Sequence, residues 1–163
     1  MGTDARRALP NKPSVALHPD ITPGNCWAFF GTQGSLTVHL ARPVQIVSIG
    51  LEHTPWSSSW VHTSAPREFR VVAYLCKDRS GSLPHVSSEQ VELGVFEYQV
   101  GPSSKHLQVF AVPEEILSTD AAQAANVCMV RLDILSNHGN KDYTCLYRFR
   151  VHGRSTWSSD VVS

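Results

Sequence analysis

Apolar residues recur at every second position in short runs separated by turn signals, and this two-residue period restricts the fold of the chain more than any other feature. Between Ser35 and Leu40, Leu36, Val38 and Leu40 alternate with Ser35, Thr37 and His39. Successive side chains of a strand point to opposite faces, so this pattern predicts a half-buried strand. Val44 to Leu51 is apolar and β-branched enough for a more buried strand, with Pro43 at its entrance, where a missing amide donor does little harm. Phe69–Leu75 reads as a further strand, and Val91–Tyr98 and Leu107–Val112, separated by Gly101-Pro102, read as a hairpin. Near the end, Cys128, Val130, Leu132 and Ile134 share one face of a strand, and Cys145, Tyr147, Phe149 and Val151 share one face of the last. The stretch Glu114–Ala125 holds the one helical piece, too short to stand alone. Closely spaced strands without a sustained helix predict an all-β fold with few or no helices, an antiparallel β-sandwich or jelly roll.

At 163 residues the chain suits one domain with a substantial core. Its polar start, residues 1–12, reads as a disordered lead-in, residues 13–153 as the β-sandwich domain, and residues 154–163 as a flexible tail. Fourteen Lys and Arg balance fourteen Asp and Glu, so no net field favours nucleic acid. No apolar run approaches the roughly 20 residues that cross a bilayer. Eight histidines are scattered without an HExxH pattern, and no GxSxG elbow occurs, so the sequence predicts no enzyme. The four cysteines, Cys26, Cys76, Cys128 and Cys145, lack CxxC spacing, which argues against zinc and leaves free thiols or up to two disulfides open. A long loop at Pro55–Ser64 carries Trp56 and Trp60.

Four segments in order carry a resemblance: the run from Leu17-His18-Pro19-Asp20 through Pro23-Gly24-Asn25-Cys26-Trp27-Ala28-Phe29; Leu51-Glu52-His53; Thr63-Ser64-Ala65-Pro66-Arg67-Glu68-Phe69; and Tyr143-Thr144-Cys145-Leu146-Tyr147-Arg148-Phe149 through Gly153. Together they resemble the SUN domain, the lumenal part of inner nuclear membrane proteins, whose sandwich is of the galactose-binding type. The resemblance implies a non-enzymatic tether that binds the C-terminal tail of a KASH protein in the perinuclear space, within the LINC complex. It implies peptide contacts at His53, Ser64, Tyr143 and Tyr147, and a disulfide between Cys26 and Cys145. It assigns no counterpart to Cys76 or Cys128, and Cys128 reads as core. By itself the Val15–Asn25 loop reads as a proline-rich turn capped by Asp20 and Asn25. The resemblance adds a structural monovalent cation, sodium or potassium, on the oxygens of Val15, His18, Asp20, Asn25 and Tyr147, and no other cofactor. Implied partners are the KASH peptide and further SUN chains, in a homotrimer or with longer relatives.

Relatives carry a KASH lid hairpin and a coiled coil ahead of the proline-rich loop, and neither is legible between Met1 and Pro13. The corresponding expectation is a shortened domain, monomeric or cytoplasmic in the alternative, that fails to bind KASH. A rival from another class is a carbohydrate- or lipid-binding jelly roll of the discoidin type, using Trp56 and Trp60.

Overall fold

The computed structural model describes residues 11–58, 61–78, 85–119 and 126–155. Residues 1–10 of the expected lead-in, 156–163 of the expected tail, Trp60, and residues 120–125 of the expected helical piece lie outside them.

One long strand organises the fold. After β1 (Trp27–Phe30), β2 runs from Gly34 to Glu52 without a break, where two strands were expected. Its first half pairs with β6 (Val127–Ile134), which pairs with β3 (Glu68–Asp78), which in turn pairs with β4 (His85–Glu97). Its second half lies between β5 (Leu107–Ala111) and β8 (Arg148–Ser155). All these pairings are antiparallel. The register with β6 shifts between His39 and Val44, around Pro43, and Val44 is paired with Val127 on one side and Ser155 on the other. Pro43 therefore falls at an irregularity, where a lost ladder bond is tolerated, and the strand passes from one sheet region to the next instead of stopping.

The two regions face each other across the core. Leu36, Ile49, Leu51, Phe69, Val71, Val130, Leu132, Leu146 and Phe149 are all buried in one cluster. Phe110 of β5 meets Phe69 of β3 edge-on at 5.1 Å and Phe96 of β4 at 5.4 Å, contacts between strands that share no ladder. Each fully buried side chain of this kind contributes about 2 kcal/mol through loss of apolar surface to water.

Two further sequence expectations change. Val91–Tyr98 and Leu107–Val112 do not form a hairpin: β4 pairs β3, and β5 pairs β2. The loop between them crosses the sandwich, and the Gln108 side chain replaces a ladder there, accepting from Gln99 N–H at 2.9 Å and donating to Gln99 C=O at 2.7 Å. The last strand is broken at Tyr147, into β7 (Tyr143–Leu146) and β8. β7 pairs β1 in a separate two-stranded sheet. The break changes the alternation, so Leu146 and Phe149 enter the main core while Cys145 and Tyr147 join a second cluster. Helix α1 is a single turn, Glu114–Leu117. Among the described residues no helix is long and apolar enough to cross a membrane.

Candidate functional site

The second cluster is where the proline-rich loop meets the broken strand. Ladder pairing sets Ala28 of β1 opposite Cys145 of β7, and the neighbouring Cys26 forms a disulfide with Cys145 across a Cα–Cα distance of 5.6 Å. Cys26, Cys145 and Tyr147 are buried together, with Ile21, Ala28 and Tyr143 packed around them. Gly24, at φ +90°, donates its N–H to the Tyr147 hydroxyl at 3.1 Å, a backbone conformation that a side chain would strain.

Local hydrogen bonds hold the rest of the loop. A 3-10 turn, Pro13–Leu17, ends with His18 N–H donating to Val15 C=O at 3.1 Å. The Asn25 side chain donates to Asp20 C=O at 2.8 Å, and Asn11 donates to the carbonyls of Gly24 and Cys26 at 3.2 and 3.0 Å. The Asp20 carboxylate takes the hydroxyl and the N–H of Thr22, bonds that lower its pKa. It thus caps the turn, as the sequence suggested. Val15, His18, Asp20 and Asn25 come from this one loop, with Tyr147 bound to it through Gly24.

β2 delivers His53 to the same region. Arg148 and Arg150, at the start of β8, reach the buried Glu52 carboxylate at 3.4 and 3.0 Å and fix the end of the strand. The His53 ring stands edge-on against Tyr147 at 4.7 Å, while the His53 backbone N–H donates to His106 C=O and to the Tyr98 hydroxyl, both at 3.2 Å. Its Nδ1 lies 3.3 Å from the Thr54 hydroxyl, and Nε2 is buried without a hydrogen-bond partner among the described residues. Burial lowers the pKa of His53 to about 4, helped by the neighbouring His62 and His138. A charged imidazolium here would lose its hydration without gaining a carboxylate. His53 is therefore neutral at physiological pH.

Ser64 joins this group through the backbone: its C=O accepts from Cys145 N–H at 2.8 Å, and its buried hydroxyl donates to Val61 C=O at 3.1 Å. Asn137 shapes the approach to Tyr143, donating to Asn140 C=O, Tyr143 C=O and the Thr144 hydroxyl at 2.8, 3.2 and 3.0 Å. The structure thus gathers His53, Ser64 and Tyr147 around the Cys26–Cys145 bridge as a buried floor, and leaves Tyr143 half-buried beside them.

Sequence reasoning missed two features. Cys76 and Cys128 form a second disulfide, joining β3 to β6 with Cα atoms 5.2 Å apart, where the sequence left up to two disulfides open but read Cys128 as core. The signal was position: Cys76 lies near the end of β3 and Cys128 near the start of β6, strands that run antiparallel as neighbours. The second is a cleft lined by His53, Trp56, His62, Tyr98, Lys105 and His106. His62 stacks flat on Trp56 at 4.0 Å and donates from Nε2 to Trp56 C=O, 3.1 Å away, so one indole face is covered.

Comparison with known proteins places the chain in a family. The family model described as Sad1 / UNC-like C-terminal matches residues 7–155. The chain belongs to the SUN family. SUN domain-containing protein 3 of Bos taurus is 38% identical over 143 residues, which is 86% of this chain and 35% of that relative. SUN domain-containing protein 1 of Homo sapiens is 40% identical over 144 residues, 86% of this chain and 16% of the relative. Sperm-associated antigen 4 protein of Mus musculus is 38% identical over 154 residues, 91% of this chain and 30% of the relative. The SUN chain described here thus spans roughly a third or less of the length of these relatives.

Solved structures reveal the same architecture in remote sequences. An F5/8 type C domain from Bacteroides fragilis superimposes with a TM-score of 0.58 at 15% identity, covering 88% of this chain and 81% of its own. The family 32 carbohydrate-binding module of Streptococcus pneumoniae EndoD gives a TM-score of 0.58 at 15% identity, covering 89% and 87%. At such identity the likeness establishes the jelly-roll fold and leaves ligand choice to the site.

Proposed function

We propose that this SUN domain is a non-enzymatic tether in the perinuclear space of the nuclear envelope, gripping the C-terminal tail of a KASH protein beside Tyr143. The observation that carries the reading is the convergence of His53, Ser64 and Tyr147 on the Cys26–Cys145 bridge, with Tyr143 at the rim. A terminal carboxylate needs donors, and hydroxyls and backbone N–H groups supply them without a buried countercharge. Neutral His53 then serves as packing beneath the site and brings no charge to it. Within this reading the oxygens of Val15, His18, Asp20, Asn25 and Tyr147 would hold a sodium or potassium ion, the hydrogen-bonded Val15 and Asp20 carbonyls each keeping a second lone pair for it. Such an ion would stiffen the loop that Tyr147 anchors. Two disulfides suit an oxidising lumen.

Titration of a KASH tail peptide with a free C-terminal carboxylate, against the same peptide amidated, tests the reading. Loss of charge-assisted bonds on amidation should weaken binding by about tenfold or more. Ser64→Ala combined with Tyr143→Phe should do the same without lowering the melting temperature by more than a few degrees. Equal affinities for the two peptides sink the carboxylate pocket. The carbohydrate reading is disfavoured by the His62 ring stacked on Trp56, and a glycan array provides its check.

A further inference from the structure

Across the second half of β2 the ladders set residues in rows that share a face: Leu107, Glu52 and Arg148; Val109, Gly50 and Arg150; Ala111, Ser48 and His152. The alternate residues Ile49, Leu51, Phe110, Phe149 and Val151 pack in or against the core, so these rows form the outer face of the β5–β2–β8 layer. The solvent face of an antiparallel sheet is ordinarily polar. Here β5 puts Leu107, Val109 and Ala111 on it, with Val109 58% exposed and Ala111 exposed.

Beyond Leu107 the apolar surface continues into the loops. Trp56, Pro102, Leu107 and Val109, with Lys105 and His106, line an open cleft of about 610 Å³. His62 steadies the Trp56 ring from one face, and Trp56 is still 45% exposed. Around this cleft the uncompensated charge is positive. Lys105 is exposed and has no ion-pair partner among the described residues. Arg148 and Arg150 share the one buried Glu52 carboxylate, which leaves a positive charge in excess and guanidinium N–H groups for other acceptors. Because Gly50 has no side chain, the Arg150 stem lies across it: an added Cβ would stand 3.1 Å from the Arg150 Cβ. Glu114 and Glu115 follow the Ala111 end of β5, the end away from Trp56.

We propose that this face docks onto an anionic lipid bilayer, with Trp56, Leu107 and Val109 entering the headgroup region and Lys105, Arg148 and Arg150 meeting lipid phosphates and carboxylates. An apolar surface bordered by cations matches a membrane boundary, where hydrocarbon lies beneath a layer of negative charge. Indole rings settle at that boundary, and the long stems of Lys and Arg let their charged ends stay in water. An acidic polymer in solution would pair the cations but leave Trp56 and Val109 exposed to water. The opposite layer lacks the combination: Val95, 50% exposed on its outer face, is flanked along β4 by Glu92 and Glu97. The assignment is independent of the peptide site.

Cys26, Cys76, Cys128 and Cys145 are all held in disulfides, so Val109→Cys offers one thiol for a polarity-sensitive fluorophore. Vesicles of equal parts phosphatidylserine and phosphatidylcholine should shift its emission to the blue, and vesicles of phosphatidylcholine alone should not. The same label on Val95→Cys is the control and should not respond. In co-sedimentation with the mixed vesicles, affinity of the unaltered chain should fall about tenfold or more between about 0.1 and 1 M salt, as the screening length drops from about 10 to 3 Å. Lys105→Glu should weaken binding about fivefold or more, and Val109→Asp at least as much. Val95→Asp, the same change on the opposite layer, should bind as the unaltered chain does. All three positions are exposed, so melting temperatures should stay close to that of the unaltered chain. No association with the mixed vesicles overturns the inference. So do equal blue shifts at Val95 and Val109, or equal binding to phosphatidylcholine alone. Vesicle binding that soluble heparin abolishes and Val109→Asp leaves unchanged, the mark of a simple polyanion site, overturns it too.

Discussion

Replacing Cys76 and Cys128 together by alanine removes the unexpected bridge, and its cost follows from chain connectivity. The bridge spans 52 residues, and the Cys26–Cys145 bridge that encloses it spans 119. Closing a 52-residue loop in an otherwise open chain restricts the unfolded state by about 4.1 kcal/mol, and a 119-residue loop by about 4.9. With the outer bridge intact, Cys76 and Cys128 are already tethered by a second route of about 67 residues, giving an effective loop of about 29. The inner bridge then contributes about 3.6 kcal/mol, and by the same reasoning the outer one about 4.4 when the inner is present. Losing both costs about 8.5 kcal/mol, more than the sum of the single losses by about 0.5. Buried Cys128 also leaves a small void, so these are lower bounds on the packing side. Urea unfolding under non-reducing conditions should show the inner-bridge variant about 3.6 kcal/mol less stable, with melting lowered by about 7–14 °C. Peptide mapping should recover Cys76 linked to Cys128. A loss below about 1 kcal/mol, or an outer-bridge variant less affected than the inner one, refutes the connectivity argument.

His53 makes stability depend on pH. Its pKa falls from 6.5 unfolded to about 4 folded, so the unfolded state binds more protons between those values. The stability present above pH 6.5 is lost as pH falls towards 4, about 3 kcal/mol in all, and urea midpoints should decline over that window in the unaltered chain but much less in His53→Asn. Gly153→Ala sets a methyl 2.5 Å from Gln45 C=O, a backbone atom of the paired strand, so β8 must shift away from β2. That should cost about 2 kcal/mol, read as a lower urea midpoint, and an unchanged midpoint would show that β2 and β8 separate freely there.

Strand content, the inward faces and the sulfur pair Cys26–Cys145 were legible in the residues, because a period of two and a family motif are local properties of the sequence. Leu36 and Val130 are inside for the reason the alternation gives. Pairing was not legible. Val91–Tyr98 and Leu107–Val112 have the local chemistry of a hairpin, but β3 and β2 offer them longer apolar partners, and ladder choice depends on residues distant in sequence. The break at Tyr147 likewise arises because Leu146 and Phe149 must both reach one core while Cys145 reaches the bridge. Burial of His53 and its lowered pKa and the Cys76–Cys128 pairing were settled by tertiary structure alone. Each depends on which strands become neighbours, and that is decided by burial summed over the whole chain, which no short stretch encodes.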